Sequence, residues 1–181
     1  MGIYRVVGLS EDRFAALYDA HYRAIYAYVY RRLSPRSDDV TDTVAEVFAV
    51  AWRRLDQAPT GDEELLWLYG VAHRCVLRAR RSDWRRLRLV ARLRAEALAH
   101  QFSAGPGSRE QEVLDAIERL PARDREVLRL VMWDGLSHGE AAGVLGCSTN
   151  AIAQRLHSAR QRLRAALTEP VRGSSELTGR T

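Results

Sequence analysis

Between Ser148 and Leu167 the chain reads STNAIAQRLHSARQRLRAAL, a run without an acidic residue. On a helix advancing 100° per residue, Asn150, Gln154, His157, Ser158 and Gln161 share one polar face. Ile152, Leu156, Ala159, Leu163 and Ala166 gather opposite, within an arc of about 80°. Arg155 and Arg162 border the polar face on one side, and Arg160 and Arg164 on the other. Amide, imidazole and hydroxyl groups hydrogen-bond to base edges, and guanidinium groups on both shoulders match the two phosphate walls of a major groove. The competing reading is a solvated helix whose arginines only aid solubility. The segment upstream favours the first. Ser137 and Glu140 have the spacing of a capping box, Gly146 stands where a helix ends in a left-handed residue, and Ser148 can cap the next helix. A short helix, a glycine turn and a longer polar-faced helix make a helix-turn-helix.

Two further faces carry charge. Arg74, Arg78, Arg81 and Arg85 fall at i, i+4, i+7 and i+11, one helical stripe, accompanied by Trp67 and Trp84. Cations beside aromatic rings suit unpaired nucleic acid, whose phosphates need neutralising and whose bases stack. Alternatively, the two tryptophans are half-buried core residues. Asp39, Asp42 and Glu46 form an acidic line opposite an apolar stripe. Carboxylates near a helix N-terminus favour its dipole. That covers Asp39 and Asp42 but not Glu46, two turns in. An acidic line on a basic chain points to a protein partner with a basic surface.

The elements that must position these faces are helical. The three apolar stripes Phe14, Leu17, Tyr18, Ile25, Tyr28, Val29; Val40, Val44, Val47, Ala51, Leu55; and Leu65, Leu68, Tyr69, Ala72, Val76, Ala79 predict three helices in one bundle. Alternating strand patterns are absent. HQFSAGPGS reads as a linker, and four short helical segments follow it. The expected fold is all-α: two small helical domains over residues 10–97 and 109–168, a flexible linker over 98–108 and a disordered tail over 169–181.

All 28 basic residues are arginine, the net charge is +5, and a polyanionic partner fits. Cys75 and Cys147 stand far apart, which argues against a disulfide framework or zinc site and fits a reducing cytosol. The N-terminus has no long apolar run before Glu11 and Asp12, so neither a signal peptide nor a membrane span is expected. Five scattered histidines lack metal-ligand spacing, so no metal, cofactor or catalytic residue is expected.

The motifs resemble those of the bacterial sigma-70 family, particularly its extracytoplasmic-function (ECF) group. DDVTDTVAEVFAVAW is similar to the family's core-binding helix, LLWLYGVAHRCVLRARRSDWRR to its promoter-melting and minus-ten segment, and AIERLPARDREVLRLVMWDGLSHGEAAGVLGCSTNAIAQRLHSARQRLRAAL to its minus-thirty-five domain. The resemblance covers roughly residues 10 to 168. It implies a sigma-2-type bundle followed by a sigma-4-type helix-turn-helix, in a cytoplasmic, non-enzymatic factor that lends promoter specificity to RNA polymerase. Asp39, Asp42, Glu46, Phe48 and Trp52 would dock on polymerase core. Trp67, Arg74, Arg78, Arg81, Trp84 and Arg85 would engage the minus-ten element. Asn150, Gln154, Arg155, His157, Ser158, Arg160, Gln161 and Arg162 would read the minus-thirty-five element, with an adenine favoured by the Asn and Gln side chains. The resemblance also implies an anti-sigma factor as partner. Arg74 stands where the family often has Asn, and Ala153 and Ser158 where basic residues are usual.

Two other functions fit parts of the chain. A stand-alone helix-turn-helix regulator accounts for the C-terminal half but leaves the acidic line and the Trp–Arg stripe without a role. A nucleic-acid enzyme would need Asp39, Asp42 and Glu46 as a two-metal cluster, and they lie on one exposed stripe.

Overall fold

The structure is a computed structural model that describes residues 3–33, 39–93 and 109–168, with side chains for 10–33, 39–82 and 112–168. The expected linker at 98–108 and tail at 169–181 lie outside the described residues, as do the side chains of Trp84 and Arg85. Seven α-helices occur among the described residues, with no strand: α1 (Ile3–Tyr30), α2 (Asp39–Arg53), α3 (Glu63–Leu93), α4 (Arg109–Glu118), α5 (Ala122–Met132), α6 (His138–Leu145) and α7 (Thr149–Thr168). The chain divides into two compact units: α1 to α3 form the first, and α4, α5 and α7 with most of α6 the second.

In the first unit each helix packs against the other two. Leu17, Ile25, Tyr28 and Val29 of α1 meet Val40, Val44, Val47 and Ala51 of α2 and Leu68, Ala72, Cys75 and Val76 of α3, all buried. Burying a large apolar side chain stabilises by about 1.5–3 kcal/mol, so this interior, rather than helix propensity, holds the bundle. Polar ties finish it. Arg80 donates from Nε and Nη2 to the carbonyl of Arg32, at 3.0 and 2.5 Å. Arg32 itself is buried with its guanidinium 3.4 Å from the centre of the Tyr28 ring. Arg13 Nη2 donates to the Ala58 carbonyl at 2.6 Å, and His21 Nε2 lies 3.0 Å from Glu64 Oε2.

Helix α1 begins at Ile3, eleven residues before Phe14, the first residue of its apolar stripe. No proline interrupts residues 3–9, and Gly8 alone costs a helix only about 1 kcal/mol. Tyr18 also departs from expectation, being 38% exposed.

In the second unit α7 packs on α5 and α4. Ile117, Leu120, Leu128 and Ala159 form a buried cluster with Val113 and Leu163 against it. Ile152, Leu156 and Ala159 are buried and Leu163 half-buried, whereas Ala166 is exposed, so the inward edge of α7 ends one turn earlier than its sequence pattern extends. Among the described residues no helix is long and apolar enough to cross a membrane.

Candidate functional site

The sides of α2 are set by its neighbours. Phe48 is buried against α1: its ring centre lies 4.6 Å from that of Tyr18, 6.1 Å from Tyr22 and 6.4 Å from Phe14. Phe48, expected among the docking residues, is only 4% exposed and supports that surface from beneath. Trp52 is 43% exposed and stands edge-on to Phe14 at 5.1 Å. On the other side of the helix Asp42 is exposed, Asp39 and Glu46 are half-exposed, and Glu46 is ion-paired to Arg78 of α3. Thr41, Ala45 and Ala49 lie exposed between these rims. The outer face of α2 thus has an aromatic edge, a floor of small side chains and an acidic edge.

The aromatic edge continues along α1, and this was not anticipated from the stripe pattern. Tyr18, Tyr22, Tyr26 and Tyr30 succeed one another every four residues with ring centres 5.1, 6.1 and 6.2 Å apart. Tyr18, Tyr26 and Tyr30 are 38%, 39% and 48% exposed. Their four-residue spacing is visible in the sequence, although the apolar stripe of α1 includes Tyr18. Exposed tyrosines give large, stiff contact area at low entropic cost, the composition typical of protein interfaces.

On α3, Arg74, Arg78 and Arg81 are exposed, and Trp67 is half-buried. The structure thus puts three of the four stripe arginines on the surface; the fourth, Arg85, lies among the side chains not described. Between them Cys75 is buried, and its thiol is pushed up to about 11 by burial and then by the Glu46 carboxylate, against the pull of Arg78, Arg74 and Arg53.

The helix-turn-helix is built as its sequence suggests. The Ser137 amide donates to Glu140 Oε2 at 2.7 Å, and the Glu140 amide to Ser137 Oγ at 3.3 Å, a reciprocal cap on α6. These bonds hold the Glu140 carboxyl below its usual value. Gly146 takes φ +63°, and the Cys147 amide reaches back to the Ala142 carbonyl at 3.1 Å, closing α6. Ser148 Oγ then accepts from the Ala151 amide at 3.2 Å and opens α7.

Asn150, Gln154, His157 and Gln161 are exposed on α7, with Ser158 half-buried beside them. Gln161 Nε2 lies 2.9 Å from His157 Nε2, so these two polar groups act as a pair. The arginines divide. Arg160 is exposed with Nη2 3.8 Å from Met132 Sδ, and Arg164 is exposed. Arg155 is half-buried with Nη1 3.7 Å from Cys147 Sγ. Arg162 is ion-paired to Asp124 in the first turn of α5. Asp124 is a structural partner that sequence reasoning missed, since nothing in the spacing links residues 38 positions apart. Glu118 is a second such partner, accepting from both Arg125 and Arg129.

Among the described residues no group of three or more His, Cys, Asp or Glu side chains is placed to hold a metal ion. What the surfaces offer is recognition: one acidic and aromatic face, one basic helix face, and one polar helix face with cationic shoulders.

Known proteins resemble this chain in sequence and fold. Residues 17–86 match the family model of Sigma-70 region 2, and residues 110–163 that of Sigma-70, region 4. The chain is 30% identical over 139 residues to the ECF RNA polymerase sigma factor EcfG of Rhodopseudomonas palustris (strain TIE-1), covering 75% of each chain. It is 30% identical over 166 residues to the RNA polymerase sigma factor NccH of Alcaligenes xylosoxydans xylosoxydans, covering 85% of this chain and 86% of that one. Among solved structures it is similar to CnrH in complex with the cytosolic domain of CnrY, with 28% identity and a TM-score of 0.59 over 85% of this chain and 86% of that chain.

Proposed function

This chain belongs to the sigma-70 family, in its ECF group, and is a sigma factor of transcription initiation; from that premise we propose how its surfaces divide the work. The outer face of α2 docks on RNA polymerase core. Asp39, Asp42 and Glu46 supply the charge, and Trp52 with the α1 tyrosines supplies apolar contact area. The α3 stripe of Arg74, Arg78, Arg81 and Arg85, with Trp67 and Trp84, engages the minus-ten element as the duplex opens. Helix α7 lies in the major groove at the minus-thirty-five element. There Gln154 and Asn150 read bases, the His157–Gln161 pair and Ser158 contribute polar contacts, and Arg155, Arg160 and Arg164 contact phosphate. Arg162 acts through the fold, because Asp124 holds it. The domain limits at residues 10–97 and 109–168 belong to the same reading.

The observation that carries this proposal is the exposed α2 face, acidic on one edge and aromatic on the other, on a chain of net charge +5. A surface of that kind repels DNA and fits a basic, partly apolar protein surface. The chain itself catalyses nothing and works in the cytoplasm. An anti-sigma factor is a further partner in this reading; the related CnrH forms a complex with the cytosolic domain of CnrY.

Reconstitution tests the reading. Purified chain and sigma-free core polymerase, given genomic DNA, start transcripts at a restricted set of positions, which end-mapping reveals. Duplex binding with no start unless another sigma factor is added would identify a stand-alone regulator instead.

A further inference from the structure

The acidic and basic faces of the first unit are joined at one point. Arg78 Nη1 of α3 donates to Glu46 Oε1 of α2. Both groups are open to solvent, the Glu46 side chain at 36% and that of Arg78 at 62%. The pair joins two helices that pack against each other. Each member is needed elsewhere. A basic partner on α2 requires the Glu46 carboxylate, and a phosphate on α3 requires the Arg78 guanidinium.

We propose that the Glu46–Arg78 ion pair is a latch coupling the two faces. This rests on the assignment of α2 to polymerase and α3 to unpaired DNA. In the free chain the closed latch neutralises one charge on each face. A cation delivered to Glu46 by a protein partner opens the pair and turns Arg78 toward phosphate. A strand drawing Arg78 away leaves Glu46 fully charged for the partner. The coupling is reciprocal by thermodynamic necessity: each ligand raises affinity for the other by the same factor. That factor cannot exceed the strength of the pair. Exposed ion pairs of this kind limit it to roughly 1.5-fold to 5-fold, less as salt rises.

The experiment is a double-mutant cycle read by fluorescence anisotropy. The probe is a fluorescein-labelled, random-sequence single-stranded 20-mer, titrated with free chain at low salt. Glu46→Gln binds the strand roughly 1.5-fold to 5-fold more tightly than wild type. In an Arg78→Gln background the same substitution has no further effect. Helical circular dichroism through a thermal melt establishes that each variant is folded. Should Glu46→Gln act equally in both backgrounds, or in neither while Arg78→Gln still weakens binding, the latch is wrong and the α3 assignment stands. Should Arg78→Gln leave strand binding unchanged in either background, the α3 assignment itself fails and takes the latch with it.

Discussion

Arg162 of α7 donates to the carboxylate of Asp124, which stands in the first turn of α5 and is 7% exposed. The two residues differ in what they lose when parted. Arg162 is 54% exposed at its side chain and returns to water, whereas Asp124 stays buried without its donor. The cost therefore arises from the acceptor left unsatisfied, not from Coulomb attraction across solvent.

Arg162→Ala accordingly destabilises the C-terminal unit by about 1–3 kcal/mol, seen as a lower urea midpoint. Arg164→Ala, on the exposed side of the same turn, stays within about 0.5 kcal/mol of wild type. In DNA binding the order reverses: Arg164→Ala lowers the slope of log affinity against log salt by about one, and Arg162→Ala does not. Equal salt slopes for the two variants would show that Asp124 does not withhold Arg162 from phosphate.

Phe48 and Trp52 lie one turn apart on α2 and separate stability from docking. Phe48→Ala empties a buried site and costs about 3–5 kcal/mol of stability. Trp52→Ala leaves the melt of the first unit nearly unchanged and weakens capture of core polymerase about tenfold or more, as loss of an aromatic anchor does. Surface plasmon resonance on immobilised core measures the second effect. Undiminished capture by Trp52→Ala would remove the aromatic edge from the interface.

Gln154 projects into solvent at the centre of the polar face of α7. Gln154→Ala costs about 1–3 kcal/mol on promoters carrying the base it reads and far less on others. Selection from a library randomised at the minus-thirty-five element, repeated with the variant, makes the comparison. A uniform loss across all sequences would mean that this face touches backbone rather than bases.

The two thiols differ by burial. Cys75 is buried with its thiol pushed up to about 11, and Cys147 is partly exposed in the helix-turn-helix turn. Iodoacetamide at pH 8 therefore modifies Cys147 and spares Cys75 until the chain unfolds, which peptide mass spectrometry resolves. The same shift sets an alkaline trend. Between the ordinary value of 9.0 and about 11 the unfolded thiol releases its proton while the folded one keeps it. Stability is thus complete below pH 9 and falls as pH rises toward 11. Cys75→Ala flattens that part of the profile; an unchanged alkaline slope would exclude this origin.

The helices and the turn chemistry were legible because their determinants are local. Ser137 and Glu140, Gly146 and Ser148 act within a few residues, and the structure realises each of them. The inward stripes of α2 and α7 were legible from periodicity, except at Ala166, which is exposed. What could not be read was pairing between elements. The bonds from Arg162 to Asp124 and from Arg78 to Glu46 depend on how helices pack, which no single stripe encodes. Phe48 was placed on the docking surface through resemblance, yet α1 covers it, because the tyrosine row of α1 passes directly over that side of α2.

Arg80 sits within the densest basic run of the chain but turns its guanidinium onto the backbone oxygen of Arg32. A tally of cations therefore overstates what a nucleic acid meets here. Within one short segment, some guanidinium groups are masonry and others are hands, and replacing every arginine by lysine would damage the two kinds differently: a single ammonium cannot reproduce a grip made from two nitrogens, whereas it can still neutralise a phosphate.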